Sequence, residues 1–562
     1  MFEEFRKEVF EILKMAEENI EMNDLEEPKE GFGDLAFPCF PLAKIYKKRP
    51  DEIAKQIREN LDEGKFDLIE RVEVVGPYIN FHLNYNRFCE RFVKYRFKPF
   101  GKGKILLEHT SMNPSGPVHV GRVRNALIGD SLKRILKYVG YDVDTHYYVN
   151  DMGKQIAMIA WARRKLKPKK ELREMYKDYA DKEDFETMFY YVAANEYLEE
   201  NPDEMKEVDE LLLRAESGDK DALHELRSVA SYCIKGQRKI LERLGIEYDS
   251  FDYESKYVEN SDVKKVIENL KRSRYFKEEN GAIGLDLQSF GIERRGGLVV
   301  IQRSNGTSVY LTRDIAYHLE KSKKSDYIIN VLGEDHKVEA EVLRTVLTNI
   351  LGVRTPIESI FYSFVNFKGL QLSTRRGLTA PMDLLIDQSV EKALQEIEKR
   401  EFIKEKKENI AETIGIGAVK YHILRTGITK PINFTWEEAL SFDGDAAPYL
   451  QYMHARACSI LRKADGYRFK EARVEHPSEK RLLLSLSKFG DALKRSVEER
   501  SPHHIANFCY RVCTSFSAFY RDCPVLEAES PTRETRLFLV ERSRDIIKDS
   551  LNLLGIDAPE RM

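Results

Sequence analysis

Glu108-His-Thr-Ser-Met-Asn-Pro-Ser-Gly-Pro-Val-His-Val-Gly-Arg-Val-Arg-Asn125 is the stretch whose reading decides the fold. It follows Ile105-Leu106-Leu107, a short apolar run that reads as a buried strand. It opens a helix in which Val123, Leu127, Leu132, Ile135 and Val139 recur at helical spacing, and Gly140 supplies the stop. Tyr141 to Val149 follows, with Tyr141, Val143, Thr145, Tyr147 and Val149 alternating onto one face of a second strand. Strand, polar Gly/Pro loop, helix and strand make a βαβ unit. Ligands of such units gather where the strand's C-terminal end meets the helix N-terminus, which is where His119 and Gly121 stand.

An imidazole and a cation at a helix N-terminus can grip phosphate oxygens, and a glycine lets a flat base lie against the backbone. On His119-Val-Gly-Arg122 alone, a surface His and a helix-packing Gly is the commoner reading. The full string resembles the first signature of class I aminoacyl-tRNA synthetases, usually His-Ile-Gly-His. Its flanks, Asn113-Pro-Ser-Gly-Pro117 and Tyr148-Val-Asn-Asp-Met-Gly-Lys-Gln155, resemble the arginyl-tRNA synthetase family in particular.

Composition sets bounds. With 562 residues, the chain holds about three or four domains. Charged residues make up 33% yet nearly cancel, to a formal net charge of -3. A whole-chain basic signature for nucleic-acid binding is therefore excluded, while a local basic face is not. The cysteines number seven and form no Cys-x-x-Cys pair, which argues against a disulfide framework and a structural zinc site. Cys509 and Cys513 share a helix face and read as core. No signal peptide and no membrane-spanning apolar run is evident, so a cytoplasmic protein is expected.

The expected organisation is multidomain α/β. Residues 1–100 read as a small α+β domain, with helices over 2–19 and 49–61 and two strand-like pieces in 70–83 broken at Gly76-Pro77. Residues 101–430 read as a Rossmann-type parallel-sheet domain, split by a long, charged, helical insertion at about 165–300, with the sheet resuming at Tyr327-Ile-Ile-Asn-Val-Leu332. Residues 431–562 read as a helical bundle. The resemblance covers the whole chain. It implies that the first domain contacts the tRNA elbow and that the last, beginning with Asp443-Gly-Asp-Ala-Ala-Pro-Tyr449, binds the anticodon.

Three further elements carry chemistry. Tyr310 and Asp314 lie four residues apart and share a face if helical. A buried Asp beside a phenol suits a guanidinium, although on spacing alone a capping or surface Asp is the commoner reading. The pair matches the family's Tyr-x-x-x-Asp that reads the arginine side chain. Glu108 offers a second carboxylate, and Ser111 and Asn113 match the Ser-x-Asn that holds the amino acid. Gly333-Glu-Asp-His336 ends a strand and matches the family's Gly-x-Asp-His, which puts Gly333 and His336 by ATP and Asp335 by arginine. Lys368 to Gly377, with Ser373, Arg375 and Arg376, falls where class I enzymes carry Lys-Met-Ser-Lys-Ser. Two positions depart from the pattern: Arg122 replaces the second signature His, and Gln371 the first loop Lys.

The resemblance implies ligation of L-arginine to tRNA(Arg). The arginine carboxylate attacks the α-phosphate of ATP, and the terminal 2′-hydroxyl of tRNA then takes the arginyl group. His119, Gly121, Arg122, Ser373, Arg375 and Arg376 would serve catalysis and ATP. Mg2+ would accompany ATP on its phosphates, no protein-bound zinc is expected, and the enzyme would act as a monomer. Tyr449, Tyr452 and Arg456 are suitable types for stacking and phosphate pairing with tRNA, while their spacing equally fits packing against the catalytic domain. Rival readings are another class I synthetase, such as the cysteinyl enzyme, and a tRNA-binding paralogue without activity. The missing zinc-ligand cysteines and the Tyr310/Asp314 pair argue against the former.

Overall fold

The structure, a computed structural model, describes residues 1–29, 31–292, 297–366, 381–400 and 407–562. The amino-terminal helix Phe2–Ala16 buries Phe2, Phe5, Val9, Ile12 and Leu13, the three-four spacing of one helical face. It packs with helix Pro50–Glu59 on an antiparallel sheet of β1 (Leu35–Pro38), β2 (Ile69–Val75) and β3 (Tyr78–Leu83), in the order β1-β3-β2. Phe92, on the helix Tyr85–Lys94 that follows, meets Phe538 edge-on at 5.9 Å. The first and last parts of the chain thereby touch.

Five parallel strands form the central sheet: β4 (Lys104–Glu108), β5 (Asp142–Val149), β6 (Ser250–Tyr253), then, after β7 (Phe276–Glu279), β8 (Ala282–Leu285) and β9 (Val299–Gln302), β10 (Tyr327–Gly333) and β11 (Ile357–Tyr362). Their order is β11-β10-β4-β5-β6. The chain works outward from β4 to β6, then returns to lay β10 against the other side of β4. That reversal opens a crevice at the carboxyl ends of β4 and β10, the place where ligands bind in such sheets. On β5, Val143, Thr145, Tyr147 and Val149 are buried, as the alternation predicts. Gly140 ends helix Val120–Tyr138 at φ 109°.

One expectation is corrected. The sheet resumes at Ser250, inside the segment read as helical insertion, because β6 pairs with the end of β5 from His146↔Ser250 to Val149↔Tyr253. Four residues in a charged context carry little period-two signal, and the pairing is what makes them a strand. Strands β7 to β9, an antiparallel sheet of their own, also fall largely in that segment. The rest of it is helical, chiefly Lys154–Lys165, Glu183–Glu200, Met205–Ser217 and Lys220–Arg243.

The carboxyl-terminal part packs Ala447–Ala464, Pro477–Ser487, Phe489–Glu498, His503–Asp522 and Thr532–Leu553 into a bundle, with Cys509 and Cys513 fully buried. Buried Lys420 ties it to the sheet domain by donating to the carbonyls of Leu244 and Gly555. No described helix is long and apolar enough to cross a membrane.

Candidate active site

β4 ends at Glu108, and the backbone then turns through Thr110 at φ 76° and Ser111 at φ 41°. A β-branched residue in the left-handed region is strained and needs support from its surroundings. The buried Asn125 amide supplies it: Oδ1 accepts from Thr110 N at 2.7 Å, and Nδ2 donates to Val331 O on β10 at 2.9 Å. One side chain thus bridges the two strands between which the sheet reverses. His109 and Tyr248 hold the Thr110 hydroxyl from behind.

The turn opens into a cavity of about 510 Å³ lined by Ser111, Asn113, His119, Arg122, Tyr148 and His336, among others. His119 stands at the N-cap position of helix Val120–Tyr138 without a side-chain cap bond, and its buried Nδ1 has no partner among the described residues. Burial, helped by the Arg122 charge, pushes this imidazole down to about 4, so it is neutral at physiological pH. Arg122 Nη2 lies 3.7 Å from Asp335 Oδ2, which His336 Nε2 also approaches at 3.7 Å. At Gly333 a Cβ would stand 2.3 Å from Asp335 Oδ1, so a larger residue there would have to move that carboxylate. At Gly121 a Cβ would stand 3.3 Å from His119 Nδ1, close enough that the ring would have to give by a few tenths of an ångström.

On the other side, helix Tyr310–Lys321 carries Tyr310, 51% exposed, and Asp314, half-buried. Burial pushes the Asp314 pKa up, but His318, whose Nδ1 lies 2.9 Å away, Lys321 and His336 outweigh it and hold the carboxyl below its usual range. Asp314 is therefore ionised. The Tyr148 hydroxyl feels the charges of Glu254 and Asp314, and it is buried without a partner among the described residues. Glu254, at the end of β6, is fully buried: Oε1 takes Arg313 Nε at 2.6 Å, while Oε2 has no partner among the described residues. Neither Tyr148 nor Glu254 stood out in the sequence as a ligand of a cation. Tyr148 lay in a quoted motif, but Glu254 had no local signal.

Glu108 is buried with its Oε2 on Lys321 Nζ at 2.5 Å. Its charge is matched within the protein, a partner the sequence reading did not include. Ser111 Oγ donates to Glu108 Oε1 at 3.3 Å and accepts from Tyr148 N at 3.2 Å. Asn113 lies on the rim between Asn150 and Gln155, at 3.4 and 3.3 Å. Ser373, Arg375 and Arg376, with Lys368 and Gln371, lie outside the described residues. Pro381, the first residue described after them, pairs with His119, and Met382 N donates to Val118 O at 2.7 Å.

Away from the cavity, Tyr449 packs within the terminal bundle, edge-on to Tyr510 at 6.2 Å. Arg456 lies over the rings of Tyr452 and Tyr520 at 4.6 and 4.8 Å, and Tyr520 is 44% exposed.

A reversing five-stranded parallel sheet, a signature helix at the reversal and a terminal helical bundle are the architecture of class I aminoacyl-tRNA synthetases. Residues 90–436 match the family described as tRNA synthetases class I (R), catalytic domain; residues 450–562 match the DALR anticodon binding domain, and residues 3–83 the arginyl tRNA synthetase N terminal domain. The arginine–tRNA ligase of Methanocaldococcus jannaschii is 41% identical, with 93% of each chain covered. That of Methanothermobacter thermautotrophicus is 40% identical over 96% of this chain and 94% of its own. The solved Thermus thermophilus arginyl-tRNA synthetase superposes with a TM-score of 0.82 at 28% identity, covering 99% of this chain and 100% of that one. The chain belongs to the arginyl-tRNA synthetase family. Its reaction is the ATP-dependent ligation of L-arginine to tRNA through an arginyl-adenylate, with release of pyrophosphate and AMP.

Proposed function

We propose that both steps run in the crevice between β4 and β10, with the substrate guanidinium on the Asp314 side and ATP on the His119 side. The observation that carries this reading is the acidic end of the site: Asp314 is ionised and bears electrostatically on buried Glu254 and Tyr148, and Glu254 Oε2 and the Tyr148 hydroxyl have no partner among the described residues. A guanidinium brings five N–H donors and one positive charge. Tyr310 covers the side chain. Ser111, Asn113 and Asp335 hold the α-amino and carboxylate end, and Glu108 sets Ser111 through its hydrogen bond.

Catalysis is alignment and charge matching, with no covalent enzyme intermediate. The arginine carboxylate attacks the α-phosphorus in line and the bond to the β-phosphate oxygen breaks. The tRNA 2′-hydroxyl then attacks the adenylate carbonyl and AMP leaves. Neutral His119 offers a hydrogen bond to phosphate, not a charge. Gly121 lies under the adenine, Gly333 and His336 border the ribose side, and Arg122 faces the phosphates. Ser373, Arg375 and Arg376 belong to the same phosphate site on motif grounds, supported by the pairing of Pro381 with His119. Mg2+ enters with ATP, held by its phosphates; no zinc takes part. Tyr452 and Arg456, stacked at the surface with Tyr520, meet tRNA(Arg), whereas Tyr449 is a packing residue. The enzyme works as a monomer in the cytoplasm, where its seven buried free cysteines stay reduced.

The test is pyrophosphate exchange into ATP, with and without tRNA(Arg). Exchange is expected with arginine, dependent on tRNA, and weaker with lysine by roughly 10⁴-fold, because an ammonium leaves acceptors unpaired. Equal exchange with lysine would overturn the pocket assignment. A second expected outcome concerns pH. Because His119 titrates at about 4, the KM for ATP should carry no His119 step between about pH 5.5 and 8. A step near the ordinary histidine value that His119→Asn abolishes would contradict the neutral role.

A further inference from the structure

Gln237 lies in the middle of the insertion helix Lys220–Arg243, far in sequence from every signature, and is 1% exposed. Its carboxamide is fully engaged with the amino-acid loop. Nε2 donates to Gly116 O at 2.7 Å and to Asn113 O at 3.3 Å, and Oε1 accepts from the Tyr147 hydroxyl at 3.1 Å. That hydroxyl in turn accepts from Met112 N at 3.0 Å. Two buried side chains from outside the loop thus hold both ends of Met112–Gly116, a segment with no helix or strand of its own. Such backbone groups need partners when buried, and here the partner comes from the insertion.

The seat is tight on every side. Cys233 Sγ also reaches Gly116 O at 3.5 Å, and a Cβ on Gly116 would stand 3.2 Å from Met188 Cβ on the neighbouring insertion helix. At Gly236, beside Gln237, a Cβ would come 2.4 Å from the Asp184 backbone nitrogen. The two insertion helices therefore meet so closely that the Gln237 position is set by their packing. The ATP side is anchored separately, through Val118 and His119 on Met382 and Pro381.

We propose that Gln237 is a positioning residue for arginine: it fixes the loop that carries Asn113 and follows Ser111, so that the insertion sets the amino-acid half of the site. This rests on the reading of Ser111 and Asn113 as amino-acid ligands. Misplacement of a substrate-orienting group by about 1 Å can cost roughly 10²-fold.

The experiment uses the full-length enzyme with tRNA(Arg) in pyrophosphate exchange, comparing Gln237→Met, Tyr147→Phe, their double variant and Asn113→Ala. Gln237→Met is expected to raise the KM for arginine by about 10- to 100-fold, with the KM for ATP within about twofold and tRNA affinity unchanged. Tyr147→Phe should shift the same constant in the same direction, and the double variant should fall short of the product of the two, because both act through one loop. An unchanged arginine KM in Gln237→Met, with Asn113→Ala impaired, overturns the proposal and leaves the pocket reading standing. Equal rises in both KM values, or a rise that only follows a lower melting midpoint, make Gln237 merely structural and also overturn it. If neither Gln237→Met nor Asn113→Ala moves the arginine KM, the pocket reading and the proposal fall together.

Discussion

Asp314→Ala should raise the KM for arginine in tRNA-dependent exchange by about 100-fold or more, with little change in the KM for ATP. Truncating one partner of a desolvated, hydrogen-bonded charge pair costs about 2–5 kcal/mol, or roughly 30- to 4,000-fold. The Asp314 side chain is partly exposed in the free protein, and a bound guanidinium would cover it, so a value inside that range follows. The fold should survive the change. His318 Nδ1 keeps the Asp314 backbone oxygen at 3.0 Å when the carboxylate is gone. Asp314→Asn should be intermediate, since it retains one acceptor and loses the charge. The carboxyl is held below its usual range, so it stays ionised across about pH 5 to 9 and the arginine KM should show no Asp314 step there. Normal arginine affinity in Asp314→Ala would remove Asp314 from the pocket.

Parts of this site were legible because local pattern carries them. The alternation of β5 and the helical spacing from Val123 to Val139 needed no tertiary information, and the dispersed motifs located the crevice. What stayed hidden depended on pairing between distant segments. Glu254 is one glutamate in a charged stretch; it comes under Asp314 only because the four residues of β6 add to the edge of β5. Lys321 shows the reverse case. It ends helix Tyr310–Lys321 with no local signal of burial, yet it is 1% exposed between Glu108 and Asn330, and so changes the meaning of Glu108. Tyr449 had the spacing of an interface residue, and both readings placed it on one helix face; which neighbour fills that face is a property of the bundle. Composition and period report how an element is built, while the partner of a charge is set by topology.

Arg313→Met should be the most damaging single change to stability near the site. Arg313 is 2% exposed, and its guanidinium is held by Glu254 Oε1 at 2.6 Å and the Ser308 hydroxyl at 2.9 Å, with Glu216 at 3.8 Å. Methionine fills similar space but leaves two buried carboxyls without their main cation. Removing one member of a buried ion pair costs about 3–5 kcal/mol. The loss should depend on pH in a defined direction. Burial already raises the pKa of Glu254 and Glu216 above the ordinary glutamate value, and Arg313 is the leading influence opposing that rise in both. A carboxyl raised in the folded state keeps its proton to higher pH than in the unfolded chain, so stability falls as pH rises from the unfolded value through the folded one. Without Arg313 that window extends upward. The gap in denaturation midpoint between variant and parent should therefore be larger at about pH 8 than at about pH 5. A second change, Glu254→Gln, should recover part of the loss at the higher pH, since it removes the charge that lacks a partner. An equal gap at both pH values would show that Arg313 acts by packing and not by charge. The same pairing bears on the specificity proposed above: a protein-supplied guanidinium already engages one oxygen of Glu254, and the other, Oε2, has no partner among the described residues.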